Sequence, residues 1–156
     1  MDLLTIWQVK NDDCDQIMGL VQVTYKLLRR DGFGDHPFFR CIIAEVTGAG
    51  NSEKGKIVAY GLYFFTYSTF EGRVIYLEDL YVTPSWRGKG IGTRIWKVIA
   101  KIAVDTDCQR MQWTVLNWNQ SAIELYKSRG AVNLTLTEKW HIFRMRRRQL
   151  EIFANT

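Results

Sequence analysis

Three glycines at alternate positions, just before an amphipathic helical pattern, constrain the fold of this chain more than any other feature. They lie in the segment Arg87–Gly92, which follows a run of β-branched and aromatic residues, Arg73–Val82, ended by Pro84. The apolar spacing that follows predicts a helix over 91–105. Each glycine inside a helix costs about 1 kcal/mol relative to alanine, so three at a helix start indicate a backbone that must approach a ligand closely. The sequence therefore predicts a strand, a glycine loop and a helix, with a phosphate or pyrophosphate bound where the helix begins.

Two other phosphate-binding loops use glycine in a similar way, and the spacing excludes both. A dinucleotide-binding fingerprint needs a third glycine where Thr93 stands, and it normally lies on the first strand–helix turn of its domain. A P-loop needs serine or threonine directly after Gly-Lys, but Gly90 follows Lys89. The segment instead resembles the Arg-x-x-Gly-x-Gly pyrophosphate loop of GNAT acetyltransferases, with Arg87 as its arginine.

The rest of the chain alternates between strand and helix patterns, which predicts an α/β fold with a mixed sheet. Asn119 is expected to cap a short helix over Gln120–Ser128. Lys56–Thr69 and Arg73–Val82 are expected to form a hairpin around the turn Glu71-Gly72. The other predicted strands are Leu3–Val9, Phe39–Val46 and Met111–Leu116, with one or two more through Phe143.

The first helical region is less sharply bounded than these strands. Asn11–Asp13 supply candidate N-caps, and the apolar spacing that follows is that of one amphipathic helix or two short ones through Leu28. Turn residues predict loops over Asp31–Pro37 and Thr47–Lys54.

Length and composition predict one folded domain over residues 1–156, since 47% of the residues are hydrophobic and no linker or repeat interrupts them. The formal charge of +5 suits a polyanionic cofactor as well as other anionic partners. A basic cluster near the C-terminus is interpreted as a solvated end, because it lacks the interleaved aromatic residues of a nucleic-acid site. The cluster consists of Lys139, Arg144, Arg146, Arg147 and Arg148. We therefore expect no nucleic-acid partner.

The cysteines, the histidines and the N-terminal residues indicate the cellular compartment and whether a metal site is expected. Cys14, Cys41 and Cys108 are an odd number without C-x-x-C spacing, which is typical of a reducing compartment and argues against a disulfide framework or a zinc site. The two histidines stand far apart in the sequence, so we expect no metal. The N-terminus lacks the pattern of a signal peptide, and the longest apolar stretch is shorter than the about 20 residues that span a bilayer. The expected protein is cytoplasmic and has no membrane partner.

The resemblance to acetyltransferases extends well beyond the glycine loop. Four further segments are similar to the diamine (spermidine/spermine) acetyltransferase family. These are Asp31–Phe38, Tyr76–Val82, Trp118-Asn119 and Tyr126–Ala131. Two others, Tyr67–Phe70 and Leu116–Gln120, are more similar to its thialysine N-acetyltransferase branch. This resemblance, which covers about Asp31 to Phe143, implies the GNAT fold, a mixed and mostly antiparallel sheet with helices on both faces.

The resemblance also implies a donor site and two proton-transfer residues. Acetyl-CoA is the expected cosubstrate, with the pantetheine arm along the backbone of Leu80, Tyr81 and Val82. Arg87, Gly88, Lys89, Gly90, Ile91 and Gly92 are expected to hold the pyrophosphate. Asn119 corresponds to a pantetheine contact in the family, although capping of the helix explains it equally well. Tyr126, also expected beside the cofactor, corresponds to the general acid, and Glu78 to the residue that accepts the amine proton through water.

The acceptor is where this sequence departs from the family pattern. Glu78, Asp79, Phe70 and Trp140 are the expected substrate-binding residues. A regular strand would place Glu78 and Asp79 on opposite faces, whereas a bulge would let both approach the cleft. Polyamine-acetylating relatives carry aspartate and tryptophan where this chain has Ser68 and Phe70, so we expect weak or absent acetylation of spermine.

Two further departures concern the C-terminal region and the N-terminal helices. Lys139 replaces the glycine of a Glu-Gly-Trp motif, which brings a positive charge and removes a residue free to take positive φ. The N-terminal helical region is shorter than in the family. The resemblance implies acetyl-CoA-dependent N-acetylation of a small primary amine, lysine-like or polyamine, by a homodimer. The alternative is a CoA-binding protein with an impaired acceptor site, or one that acetylates protein lysines.

Overall fold

The computed structural model describes residues 3–10, 13–20, 25–48 and 55–156, and the chain forms two units, 1–114 and 115–156. The first unit carries a five-stranded sheet in the order β1-β2-β3-β4-β5. The strands are β1 (Leu3–Gln8), β2 (Arg40–Thr47), β3 (Lys56–Ser68), β4 (Gly72–Val82) and β5 (Arg110–Gln112). The first four pair antiparallel and β5 joins β4 in parallel, so the predicted mixed, mostly antiparallel sheet is confirmed.

Helices cover both faces of this sheet. On one face, Ile17 of α1 (Cys14–Met18) and Leu28 of α2 (Tyr25–Phe33) join a buried cluster with Cys41, Ile43 and Tyr60. On the other face lies α3 (Ile91–Asp105), which buries an apolar stripe against the strands. Because both faces are covered, β2 is buried at six consecutive positions from Cys41 to Val46.

Gly61 marks the closest approach of α3 to the sheet. A Cβ at this position would lie 2.7 Å from Ile95 Cγ2 and 2.8 Å from Ile99 Cδ1. Side chains alternate along a strand, so Tyr63 shares the α3 face with Gly61, whereas Tyr60 and Leu62 face α1 and α2.

A β-bulge interrupts the pairing of β3 with β4. Leu62 pairs with Asp79 and Tyr63 with Leu77, so Glu78 is an extra residue on β4. A second register shift lies between Ala44 and Glu45 on β2. The bulge changes which side chains share a face: Leu77 lies with Tyr63 toward α3, and Asp79 lies with Leu62 toward α1 and α2.

The first unit differs from the sequence-based boundaries at several elements. The first helical region is two short helices, and α2 continues to Phe33, which is inside the predicted loop Asp31–Pro37. Asp13 occupies the N-cap position of α1, but its carboxylate accepts the Lys10 N–H (3.0 Å) instead of a helix N–H. Asn11, Asp12 and residues 49–54 of the predicted turn lie outside the described residues. The predicted strand Met111–Leu116 is shorter, because β5 pairs only along Val74–Tyr76 of β4.

The second unit contains α4 (Gln120–Ser128), α5 (Leu134–Thr137) and α6 (Arg147–Ala154). The prediction of one or two strands through Phe143 is therefore wrong. Asn133 starts α5 because its Oδ1 accepts the Thr135 N–H at 3.1 Å and its carbonyl accepts the Leu136 N–H at 3.1 Å. Residues 115–156 contain no strand that could pair with 138–146, so the apolar alternation there produces no sheet.

None of the helices in the described residues is long and apolar enough to cross a membrane. Within the same ranges, no three His, Cys, Asp or Glu side chains are grouped so that they could hold a metal ion.

Candidate active site

The glycine loop lies between the end of β4 and the start of α3, as the sequence predicts, after a 3-10 turn over Pro84–Trp86. Gly88 (φ 74°) and Gly90 (φ 73°) adopt the left-handed conformation that disfavours every residue with a Cβ. A Cβ on either residue would meet no atom within 4 Å, so backbone conformation requires glycine there and crowding does not. The loop therefore presents bare backbone with open space beside it, as a bound phosphate requires.

The start of α3 carries uncompensated positive charge. Gly90 is its N-cap and provides no side-chain acceptor for the first N–H groups, and the first turn contains no acidic residue. Arg87 and Lys89 flank this end and are both exposed. Free N–H groups, the helix dipole and two cations together favour an anionic group such as a pyrophosphate.

The two cations of the loop are held against neighbouring aromatic rings. Arg87 donates from Nε to the Val82 carbonyl at 2.9 Å, and its guanidinium carbon lies 5.8 Å from the Tyr81 ring centre. Lys89 Nζ lies 4.3 Å from the centre of the Trp86 ring. These contacts keep both charges beside the loop while leaving them accessible to an anion.

The edge of β4 leading to the loop is open. β5 pairs only with Val74–Tyr76, so Leu77–Val82 has β3 on one side and no strand on the other among the described residues. Leu80, Tyr81 and Val82 are half-buried. Exposed N–H and C=O groups on such an edge can bind an extended chain, which fits the pantetheine arm of coenzyme A.

Glu78 and Asp79 lie next to each other at the bulge, and both are exposed. Tyr60 of β3 donates a short hydrogen bond from its hydroxyl to Asp79 Oδ2. Burial, followed by this contact with Asp79, raises the pKa of the Tyr60 phenol far above its usual range, so the phenol stays a neutral donor. The Tyr60 ring stacks on that of Tyr81, with centroids 5.7 Å apart and an interplanar angle of 24°.

Sequence reasoning missed Tyr60. It is one of many aromatic residues on β3, and nothing in its spacing separates a core tyrosine from one that contacts a site. The relevant signal is the diagonal relation across two strands, since Tyr60 pairs with Tyr81 and Asp79 is two residues away on the same face. That relation depends on register and could not be read from the sequence.

Asn119 and Tyr126 belong to the second unit. Asn119 Oδ1 accepts the Ala122 N–H at 3.4 Å, so this residue caps α4 as the sequence predicts. Tyr126 is half-buried in the last turn of α4, and its carbonyl accepts the Arg129 and Ala131 N–H groups at 3.0 and 3.1 Å. The capping role leaves the predicted cofactor contact of Asn119 open, since the two uses involve different atoms.

Phe70 does not lie near Glu78 within one chain. It is 97% exposed at the tip of the β3–β4 hairpin, where Ser68 Oγ accepts the N–H groups of Phe70 and Glu71, each at 3.3 Å. Glu78 is six residues beyond Gly72 on β4, which corresponds to about 20 Å of strand. A second chain would be needed for Phe70 to contact an amine bound at Glu78.

The C-terminal motif has the backbone strain expected from the loss of its glycine. Lys139 has φ 58°, one of two positive values among the described non-glycine residues. The next residue, Trp140, donates from Nε1 to Glu138 Oε2 at 2.6 Å and is largely exposed.

Known proteins resemble this chain in sequence and in fold. The family model described as acetyltransferase (GNAT) matches residues 6–131. The chain is 43% identical to thialysine N-epsilon-acetyltransferase of Bos taurus over 158 residues, covering 92% of this chain and 93% of that protein. It is 42% identical to the human spermidine/spermine N(1)-acetyltransferase-like protein 1 over 88% of this chain, although only 20% of that longer protein is covered. An integron cassette protein from the mobile metagenome of V. cholerae has a similar structure, with a TM-score of 0.78, 25% identity and 98% of each chain covered.

Proposed function

Because the chain belongs to the acetyltransferase (GNAT) family, we propose that it transfers the acetyl group of acetyl-CoA to the side-chain amine of a lysine-like small molecule such as thialysine. The family makes the chain an N-acetyltransferase with acetyl-CoA as donor, and the acceptor is the proposed part. The observation that carries the proposal is the pair of exposed carboxylates, Glu78 and Asp79, at the bulge beside the open edge of β4. A cationic amine and an extended thioester arm can meet there.

The donor is proposed to bind along β4 and the glycine loop. Gly88, Gly90 and Gly92 bring backbone N–H groups close to the pyrophosphate, and Arg87 and Lys89 neutralise its charge. The open edge of Leu80–Val82 would hold the pantetheine arm as an added strand, with Ile91 and Asn119 as further contacts. This arrangement directs the thioester toward the bulge.

The acceptor must lose a proton before it can attack. An alkylamine arrives as ammonium at neutral pH, and Glu78 is proposed to accept its proton through a water molecule. The nitrogen then forms a bond to the acetyl carbon as the carbon–sulfur bond breaks. The departing thiolate takes its proton from the hydroxyl of Tyr126, because a phenol and a thiol are of comparable acidity. The nitrogen loses its second proton as the amide forms, and this proton restores the Tyr126 phenol.

The hairpin tip is proposed to disfavour long polyamines. Ser68 uses its hydroxyl to hold the turn, and it provides no carboxylate at a position where polyamine-acetylating relatives have one. Phe70 provides an aromatic face that attracts a cation less strongly than tryptophan would. We expect kcat/KM for spermine or spermidine to be well below that for thialysine, and comparable values would contradict the proposed acceptor class.

A homodimer is part of the proposal. Phe70 is exposed far from Glu78 of its own chain, so it can serve the acceptor site only if a second copy presents it. Trp140 is a further proposed acceptor contact. The odd number of cysteines without C-x-x-C spacing supports a cytoplasmic location, and residues 1–156 are proposed to act as one functional domain.

The proposed function is tested by titrating acetyl-CoA and following thiol release with thialysine, lysine, ornithine, spermidine, spermine and a lysine-containing peptide. Turnover is expected with the lysine-like amines. Binding of acetyl-CoA without turnover of any amine would indicate an impaired acceptor site, and turnover confined to the peptide would indicate protein acetylation. The Glu78→Gln variant should bind acetyl-CoA like the native protein and lose most of its turnover near neutral pH.

A further inference from the structure

Tyr60 combines deep burial with a polar contact to an exposed residue. Its side chain is 2% exposed within the cluster under α1 and α2, yet its hydroxyl reaches Asp79 at the surface. A buried phenol without a partner would destabilise the fold, so the bond to Asp79 satisfies the hydroxyl. The same bond fixes one oxygen of the Asp79 carboxylate to the rigid centre of the sheet.

The bulge makes this contact possible. In a regular ladder that continued the Tyr63–Leu77 pairing, Glu78 would pair with Leu62 and Asp79 would lie on the α3 face. The extra residue instead pairs Asp79 with Leu62, on the face of Tyr60. Tyr81, the direct partner of Tyr60, stacks on the ring and limits its movement. The strand register, the bulge and the ring stacking together therefore fix the position of the Asp79 carboxylate.

Glu78 and Asp79 are chemically similar neighbours in different settings. Asp79 accepts a hydrogen bond from a buried donor, whereas no such contact to Glu78 is seen among the described residues. An anchored carboxylate suits binding of a cation, because the cost of ordering it is met when the chain folds. A side chain that keeps its freedom suits proton transfer through water.

We propose that Tyr60 is a positioning residue for the acceptor. Its hydroxyl holds the Asp79 carboxylate at the β4 bulge, so that Asp79 binds the ammonium group of the acceptor amine while Glu78 accepts the proton. The inference rests on the proposed function, because it assigns separate tasks to the two carboxylates of that site. Tyr60 acts through Asp79 and touches neither substrate.

The test compares Tyr60→Phe with Tyr63→Phe. Both tyrosines are buried on β3, but Tyr63 lies on the α3 face and pairs with Leu77, so its phenylalanine variant removes a buried hydroxyl without touching Asp79. Tyr60→Phe should raise KM for thialysine about tenfold, since a hydrogen bond to a charged group is lost. KM for acetyl-CoA should change less than about twofold, and kcat should fall less than the amine KM rises. Tyr63→Phe should leave the amine KM unchanged even if it melts at a lower temperature.

A double variant separates positioning from general destabilisation. In an Asp79→Ala background, Tyr60→Phe should add nothing to the amine KM, because the group it holds is gone. An additive increase, or an equal rise in KM for acetyl-CoA, would overturn the inference while leaving the proposed function intact.

A binding measurement distinguishes a failure of this inference from a failure of the proposed function. If native protein turns over no amine, calorimetric titration of thialysine into the CoA-saturated protein still reports acceptor affinity. Weaker binding in Tyr60→Phe but not Tyr63→Phe would support the inference although the proposed activity had failed. Equal binding in all three proteins, or no binding to native protein, would overturn it.

Discussion

Replacing Gly90 by alanine tests the glycine loop as the donor site. Gly90 has φ 73° and is the N-cap of α3, and a Cβ there would enter open space. The added methyl group therefore clashes with nothing in the protein. The free energy of unfolding should fall by about 1 kcal/mol, because alanine must adopt a left-handed conformation. For a chain of this length such a cost lowers Tm by about 3 °C.

The effect on acetyl-CoA should be larger than the effect on stability. The new methyl group occupies the space beside the loop in which the pyrophosphate is proposed to lie, and it prevents the N–H groups at the start of α3 from approaching. Losing one charged hydrogen bond of about 1.5–3 kcal/mol corresponds to a Kd at least about tenfold higher. Kd is measured by calorimetric titration of CoA, and Tm by differential scanning calorimetry of the same preparations.

Gly130→Ala is the matched control for this prediction. Gly130 follows α4, has φ 88°, and likewise has no atom within 4 Å of a Cβ, so its alanine variant carries the same kind of conformational cost. Tm should fall by a similar amount in both variants, and only Gly90→Ala should bind CoA more weakly. Equal CoA affinity in the two variants would refute the placement of the pyrophosphate, and a much greater loss of Tm in Gly90→Ala would refute the steric reasoning.

The remaining predictions concern the second unit. Tyr126→Phe should lower kcat about a hundredfold, which is the usual scale of general acid catalysis, and leave the Kd of CoA unchanged. Stopped-flow thiol release and calorimetry check the two values, and an unchanged kcat would remove Tyr126 from the mechanism. Lys139→Gly should raise the free energy of unfolding by about 1 kcal/mol, because φ 58° is strained for lysine and relaxed for glycine. Urea denaturation measures this free energy. The control is Lys127→Gly, inside α4, which we expect to destabilise the protein by about the same amount.

Local chemistry accounts for the features that the sequence predicted well. Gly88–Gly92 lies at the junction of β4 and α3 because a strand pattern, a proline, alternate glycines and a helix pattern follow one another along the chain. The α4 helix begins and ends as predicted, since Asn119 supplies its cap within three residues. The predicted hairpin of β3 and β4 also forms, because a short turn joins two successive strand patterns.

The errors arose where a partner from elsewhere in the chain decides the structure. The segment through Phe143 has apolar alternation but no neighbouring strand in its unit, and an unrecognised cap at Asn133 begins α5 instead. The strand predicted from Met111 is cut short because its pairing with β4 ends at Tyr76, just before the bulge. Propensity describes what a segment can form, and pairing decides what it does form.

The sequence by itself determined the proposed donor site, because backbone φ, helix dipole and flanking charge are properties of a few consecutive residues. Only the tertiary structure decided the proposed acceptor site. The bulge that brings Asp79 to the face of Tyr60, and the bond from Tyr60 to Asp79, depend on the register between β3 and β4. Register is set by packing both faces of a sheet at once, so no single stretch of sequence specifies it.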